Sequence, residues 1–398
     1  MNYSKINNFN KYIGIYLHWP WCKKICPYCD FNVKKYKTIN EKEWVNKYIQ
    51  ELKWFKSYFD EGEIRSIYFG GGTPSLMSYN SLYKIIDFIL SYFKTYNNIE
   101  ITIEANPSSL NKNRLKNFKS AGVNRLSVGI QSFREDELKF LGRDHSPKDA
   151  INCLLDSKSI FERANFDLIY GLPNQSLNSW KNSLNNSMEF AKNLGHISCY
   201  QLSIEKNTPF YKLQKNGNLS LPDENMLTDM YLLTSEICEK NGLSAYEISN
   251  HAIPGQESIH NLGYWKYNQY IGIGPGAHSR INKNRTRYSV EQIKSPNLWF
   301  RSIHKKGNGV NKLNRLNSDS ISIEILLSSL RLSQGLNEDR FNFYTDKKLS
   351  DLITNPIILS LINDNFLSWN KNILKTNTSG RLVLDKIIEI FDSVLSEN

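Results

Sequence analysis

Along the first two thirds of the chain, short apolar runs rich in β-branched residues alternate with longer stretches whose apolar positions recur every three or four residues. This is the rhythm of βα units feeding a parallel sheet. Six runs read as strands: IGIYLH (Ile13 to His18), IRSIYF (Ile64 to Phe69), IEITIE (Ile99 to Glu104), RLSVGI (Arg125 to Ile130), FDLIY (Phe166 to Tyr170) and ISCYQLSI (Ile197 to Ile204). The gaps read as helices: a segment from Thr38, with Glu41 placed for a capping box, then SLYKIIDFILSYF, the stretch after Pro147, SWKNSLNNSMEFAKNL and ENMLTDMYLLTSEICEK. After about Val290 the rhythm stops. SIEILLSSLRL and GRLVLDKIIEIFDSVL carry helical periodicity with stripes that read as core, so a small, mainly helical domain is expected over residues 291–398, its body starting at Pro296, behind a first domain of residues 1–290. The basic run RINKNRTRYS is the stretch whose composition suggests a linker.

Polar and glycine-rich residues gather where the strands end. The first strand runs into a cysteine loop, the second into Gly70-Gly71-Gly72-Thr73-Pro74, and the third into Glu104-Ala105-Asn106-Pro107. The fourth ends in Gln131-Ser132, the fifth carries Asp167 and closes on Gly171-Leu172-Pro173, and the sixth carries Tyr200 and Gln201. Chemistry in βα barrels collects at these C-terminal strand ends. Taken singly, each feature has a structural reading: glycines for a turn, Glu104 as a solvated strand end. Asp167 is harder to dismiss, because a carboxylate inside an apolar strand needs a partner. Their common position points to one binding site.

Length and composition narrow the class. The 398 residues suit two or three units, or a barrel with an appendage, and 40% hydrophobic with 22% charged residues fits a folded protein. No run of about 18 apolar residues is present, and the start, MNYSKINNFNKYIGIYLHW, lacks a secretory pattern, so a cytoplasmic location is expected. A net charge of +11 would suit an anionic partner. Lys and Asn are nevertheless spread along the chain, and no nucleic-acid-binding signature accompanies them; no nucleic-acid partner is expected.

The segment CKKICPYCDF places Cys22, Cys26 and Cys29 within eight residues, whereas Cys153, Cys199 and Cys238 stand alone. In a reducing compartment, clustered thiols are more often metal ligands or redox groups than disulfides. A zinc site would need a fourth ligand, for which His18 is available. A redox pair would use Cys26 and Cys29 and leave Cys22 unexplained. Three thiolates on a four-iron cluster would leave one iron open for a substrate or cofactor.

The spacing Cys-x3-Cys-x2-Cys, with Tyr28 before the last cysteine, resembles the signature of radical S-adenosylmethionine proteins. The resemblance implies a partial (β/α)6 TIM-like α/β barrel and a [4Fe-4S] cluster on Cys22, Cys26 and Cys29. It also implies that the open iron chelates S-adenosylmethionine, which one electron cleaves to a 5'-deoxyadenosyl radical. Within that superfamily the chain is similar to the oxygen-independent coproporphyrinogen III oxidase family from about Tyr16 to Ser279, and more weakly to Ile388. By this resemblance Gly71, Gly72 and Thr73 contact the methionine part of S-adenosylmethionine. Tyr16, Tyr28, Glu104, Gln131, Arg143, Asp167 and Gln201 supply further contacts, and the C-terminal domain takes a winged-helix shape.

Two activities occur among such proteins: oxidative decarboxylation of coproporphyrinogen III, and delivery of haem by HemW-type haem chaperones. The oxidases usually carry a cysteine two positions after the third of the motif, where this chain has Phe31. The chaperone group carries His-Asn-x-x-Tyr-Trp, matched by His260-Asn261-Leu262-Gly263-Tyr264-Trp265. The resemblance thus implies haem as ligand, with His260 as its axial ligand and His251 and His278 as rivals. Its expected partners are haem-receiving client proteins, an electron donor, a transient membrane contact and a second copy in a dimer. Without the resemblance, a histidine among aromatics reads more often as a packed, hydrogen-bonded core residue than as a ligand. The oxidase, and a zinc-stabilised binding module, remain the competing readings.

Overall fold

The computed structural model describes residues 9, 11–36, 38–59 and 62–396; most of the amino-terminal stretch read for a secretory pattern lies outside them. All six expected strands form, as β1 (Tyr12–Trp19), β2 (Glu63–Gly71), β3 (Thr95–Ala105), β4 (Arg125–Gln131), β5 (Arg163–Tyr170) and β6 (His196–Gln201). They lie side by side in chain order and parallel. A seventh parallel strand, β7 (Gln269–Ile273), pairs with the free edge of β1. The sequence reading missed it because QYIGI runs directly into the glycine-rich turn that follows.

Five helices cover the outer face: α1 (Glu41–Tyr58), α2 (Tyr79–Tyr92), α4 (Pro147–Ile160), α5 (Leu177–Leu194) and α6 (Glu224–Lys240), joined by the shorter α3 (Lys112–Ser120). The expected capping box at Thr38 is not used. Asn40 caps α1 and accepts from the Glu43 N–H, while the Glu41 carboxylate accepts from Ser78 N and Ser81 Oγ at the start of α2. One helix entrance thereby fastens the next. A reciprocal Ser146–Asp149 box does open α4, and left-handed Gly195 closes α5.

The sheet continues past residue 290. Strands β8 (His278–Lys283), β9 (Thr286–Gln292) and β10 (Val310–Arg315) extend the β7 edge antiparallel, and short strands at Asn250–Ala252 and Ser244–Ala245 extend the β6 edge, giving twelve strands. RINKNRTRYS is therefore a hairpin and not a linker: Asn284 and Arg285 both take positive φ (50° and 62°), as a tight primed turn requires. Helix α8 (Pro296–Lys306) packs on α1, with the ring of Trp299 stacked 5.4 Å from that of Trp44. The barrel core thus includes Trp299 and Ile303, and a second core takes in Tyr267 and is otherwise built from Ile321 onward. The two cores divide after Arg315. The second one is formed by α9 (Ser318–Ser329), α10 (Leu384–Ser396) and shorter helices around a three-stranded antiparallel sheet, which helical periodicity alone did not reveal.

Candidate functional site

A cavity of about 410 Å³ opens at the C-terminal ends of the parallel strands. Its lining includes Cys22, Cys26, Tyr28, Cys29, Gly71, Gly72, Thr73, Glu104, Gln131, Arg143, Asp167 and Gln201. Six separate strand ends thus deliver the expected residues to one place. Tyr16 and His260 do not reach the lining.

The glycines are required by close approach. A Cβ on Gly72 would stand 2.8 Å from the Trp21 carbonyl oxygen and 3.0 Å from Cys22 Sγ, and one on Gly71 would meet the His18 ring at 2.6 Å. The Gly72 and Thr73 N–H groups donate to the carbonyls of Trp19 and Trp21, so the GGGTP loop and the cysteine loop are stitched together. Gln131 reaches the cavity through a bulge in β4, where the register with β5 shifts and its own φ turns to 71°.

Burial pushes Cys22 up and Cys29 up to about 11, and each of these thiols is raised further by the charges of the neighbouring cysteines. The Arg143 guanidinium opposes this at Cys22. Its Nη1 donates to Cys26 Sγ at 3.4 Å and its Nη2 to the Gly129 carbonyl at 2.8 Å, leaving the Nε–H without a partner. Among the described residues no three His, Cys, Asp or Glu side chains stand close enough to share one ion. Three thiols facing one cavity suit a multi-iron cluster, whose corners are separate irons. His18, the fourth ligand that zinc would need, is occupied: Nδ1 bonds the Tyr16 hydroxyl and Nε2 the Asn32 carbonyl. The donor set fits a cluster and does not fit a zinc site.

Two carboxylates face the cavity. Burial pushes Glu104 up to about 7, although it accepts from the Tyr68 hydroxyl at 2.8 Å and from Gly71 N at 3.1 Å. Burial likewise raises Asp167 to about 6 against hydrogen bonds from Ser198 and Asn165 and the charge of Arg125. Poised acids of this kind suit an amine or ribose hydroxyls, which donate to a carboxylate. Below them the cavity continues into the barrel along Tyr68, Arg125, Asn165, His196, Asn250 and Asn261; of these the sequence pointed to Asn261, in the His-Asn-x-x-Tyr-Trp motif, but not to Tyr68, Arg125, Asn165 or His196. The signal was available: Asn165 precedes Asp167, and Arg125 and Ser127 precede Gln131, at the spacing of two that keeps residues on one face of a strand.

His260, expected as an axial ligand of haem, lies beneath this lining and not in it. HNLGYW forms a helix of about two turns, α7 (Ile259–Trp265), packed against β1 and β2 inside the barrel. The His260 ring is buried, Nδ1 bonded to Ser66 Oγ at 2.8 Å and Nε2 to the Tyr264 hydroxyl at 3.0 Å. Burial lowers its pKa to about 3. Both ring nitrogens thus have hydrogen-bond partners within the barrel. Glu100 anchors the start of α7, accepting from Ile259 N and His260 N, and is itself paired with Arg163 at 2.8 Å. Tyr16 lies in the same layer, its ring stacked against those of Tyr68 and His260. Of the rival histidines, His251 is buried on the strand beside β6, and His278 is exposed at the start of β8.

Among the described residues no helix is long and apolar enough to cross a membrane. The model of the Radical SAM superfamily matches residues 16–186. The chain is 34% identical to the haem chaperone HemW of Buchnera aphidicola from Schizaphis graminum, over 95% of this chain and 98% of that protein. It is 31% identical to the mitochondrial radical S-adenosyl methionine domain-containing protein 1 of Danio rerio, over 94% and 86%. Among solved structures, coproporphyrinogen III oxidase of Escherichia coli superposes with a TM-score of 0.80 at 19% identity, covering 98% of this chain and 93% of that one; this likeness is one of fold.

Proposed function

Because the chain belongs to the radical S-adenosylmethionine superfamily, in the group that includes the haem chaperone HemW, we propose that it is a haem chaperone working with a [4Fe-4S] cluster and S-adenosylmethionine. The observation that carries the reading is the likeness to named haem chaperones along almost the whole chain. Phe31, at the position of the oxidases' additional cysteine, agrees with it.

In this reading Cys22, Cys26 and Cys29 hold the cluster, which supplies one-electron chemistry when bound. Arg143 steadies the thiolate of Cys26, and Tyr28 covers the loop, its ring packed toward Phe210. Gly71, Gly72 and Thr73 leave room beside Cys22. Glu104, Gln131, Asp167 and Gln201 receive the polar groups of S-adenosylmethionine. Tyr16 and His260 support Tyr68 from below. Haem passes to client proteins, an electron donor reduces the cluster, and the protein works in the cytoplasm with transient membrane contact or as a dimer; relatives named as mitochondrial make fractionation of the native protein the check on compartment.

The test incubates anaerobically reconstituted protein with S-adenosylmethionine, a reductant and coproporphyrinogen III, with mass spectrometry of the porphyrin. The chaperone reading expects unchanged substrate. Catalytic conversion to protoporphyrinogen would make the chain an oxidase.

A further inference from the structure

The mouth of the cavity carries apolar surface that the interior chemistry does not use. Phe31 is 61% exposed, Ile25 44% and Tyr200 39%, and all three line the same cavity as the cluster thiols. Soluble proteins tolerate scattered exposed apolar side chains, but three converging on one opening call for a partner. Phe31 and Ile25 stand on the cysteine loop that follows β1. Tyr200 stands at the end of β6, five strands along the sheet. The apolar groups therefore come from opposite sides of the opening.

The loop that carries Phe31 and Ile25 is basic, and of its lysines Lys24 lines the opening. Lys23, Lys24, Lys34 and Lys35 are exposed on the cysteine loop, and Asp30 and Glu205 are the carboxylates lining the same rim. A ligand matching this rim has a broad flat apolar body and peripheral anionic groups. Resting on the proposed chaperone function, we infer that this rim is the haem seat. The macrocycle lies against Phe31, Ile25 and Tyr200 with its propionates toward the lysines, and no ligand from His260 is required. Aromatic and aliphatic side chains supply the apolar contact, and lysines supply charge-assisted hydrogen bonds to carboxylates. Phe31, the residue that separates this chain from the cysteine-bearing oxidases, then has a positive role.

The test is haem titration of the full-length, cluster-reconstituted protein, comparing wild type with Phe31→Ala, the Phe31→Ala/Ile25→Ala pair and Phe31→Trp. Iron and sulfide content is checked in each. These side chains are largely exposed, so their truncation leaves the core intact. Loss of apolar contact of this size corresponds to a fall in haem affinity of about ten-fold for Phe31→Ala and more for the pair, with Phe31→Trp close to wild type. Wild-type binding that persists undiminished in the pair would overturn the rim as the seat while leaving the chaperone reading standing. Haem binding intact in the pair with loss of haem transfer to an apo-acceptor would make the rim a protein-docking surface, which also overturns it. A wild-type chain that binds no haem would overturn both.

Discussion

The imidazole of His260 lies 4.8 Å from the ring of Tyr68, inclined by 19°, and the Tyr68 hydroxyl donates to Glu104, which in turn accepts from Gly71 N. The motif HNLGYW is thereby linked from the barrel floor to the glycine loop beside Cys22. The same helix meets the second core, since Ser329 Oγ donates to the Trp265 carbonyl and the Arg331 guanidinium stands 4.5 Å over the Trp265 ring. His260 thus lies in a chain of contacts that runs from the C-terminal unit to the cavity.

His260→Ala deletes two hydrogen bonds and leaves a void beneath Tyr68. The expected cost is about 2–4 kcal/mol of stability, with weaker S-adenosylmethionine binding and unchanged haem binding. Denaturant unfolding and titration of both ligands on one preparation check this. Lost haem with unaltered S-adenosylmethionine affinity would restore the ligand role.

Glu104 predicts a pH dependence. With its pKa pushed up to about 7, the free protein carries a neutral carboxyl below that pH and a carboxylate above it. A carboxylate holding the amino group of S-adenosylmethionine binds it better when charged, so affinity should fall as pH drops below about 7, by up to about ten-fold per unit. Glu104→Gln should flatten the profile. Equilibrium titrations at several pH values decide between the two shapes.

Glu51 bears on stability. Fully buried, it accepts from Gly274 N, Gly309 N and Trp299 Nε1, tying α1 to the turn after β7 and to the segment before β10. Glu51→Ala strands these donors and should cost roughly 3–5 kcal/mol. Burial raises its pKa to about 7 against those three hydrogen bonds, so the folded chain holds a proton that the unfolded chain has released. Its contribution is complete below about pH 4.5 and is lost as pH rises through about 7. Chemical unfolding at pH 5 and pH 8 should show a shallower dependence in the alanine variant.

Gly72→Ala would force a methyl group against Cys22 Sγ and two carbonyl oxygens at 3.0 Å or less. Iron and sulfide analysis after anaerobic reconstitution should give about four of each per wild-type chain and far less for this variant. Cys22→Ala, Cys26→Ala and Cys29→Ala should match it. A full complement in Gly72→Ala would show that the loop yields.

The parallel strands were legible because runs such as FDLIY are buried on both faces, and the site because polar residues interrupt those runs at their ends. Depth was not legible. Tyr68, Arg125 and Asn165 look like ordinary strand positions until the sheet curls and turns them inward. The run of the sheet past residue 290 was not legible because β9 alternates buried and half-exposed positions and the edge strand β10 has no buried position, so neither carries the apolar run of a central strand. HNLGYW was recognised as a motif, but which way its histidine faces depends on Ser66 and Glu100, some 160 to 190 residues away.

The central claim is tested most directly by haem transfer. Reconstituted wild-type protein, loaded with one equivalent of haem, is mixed with an apo-haem protein, and the acceptor's absorbance is followed against a free-haem control. A haem chaperone binds haem stoichiometrically and delivers it at a rate that depends on the donor protein. Haem that neither binds nor transfers, from a chain with a full cluster, would contradict it.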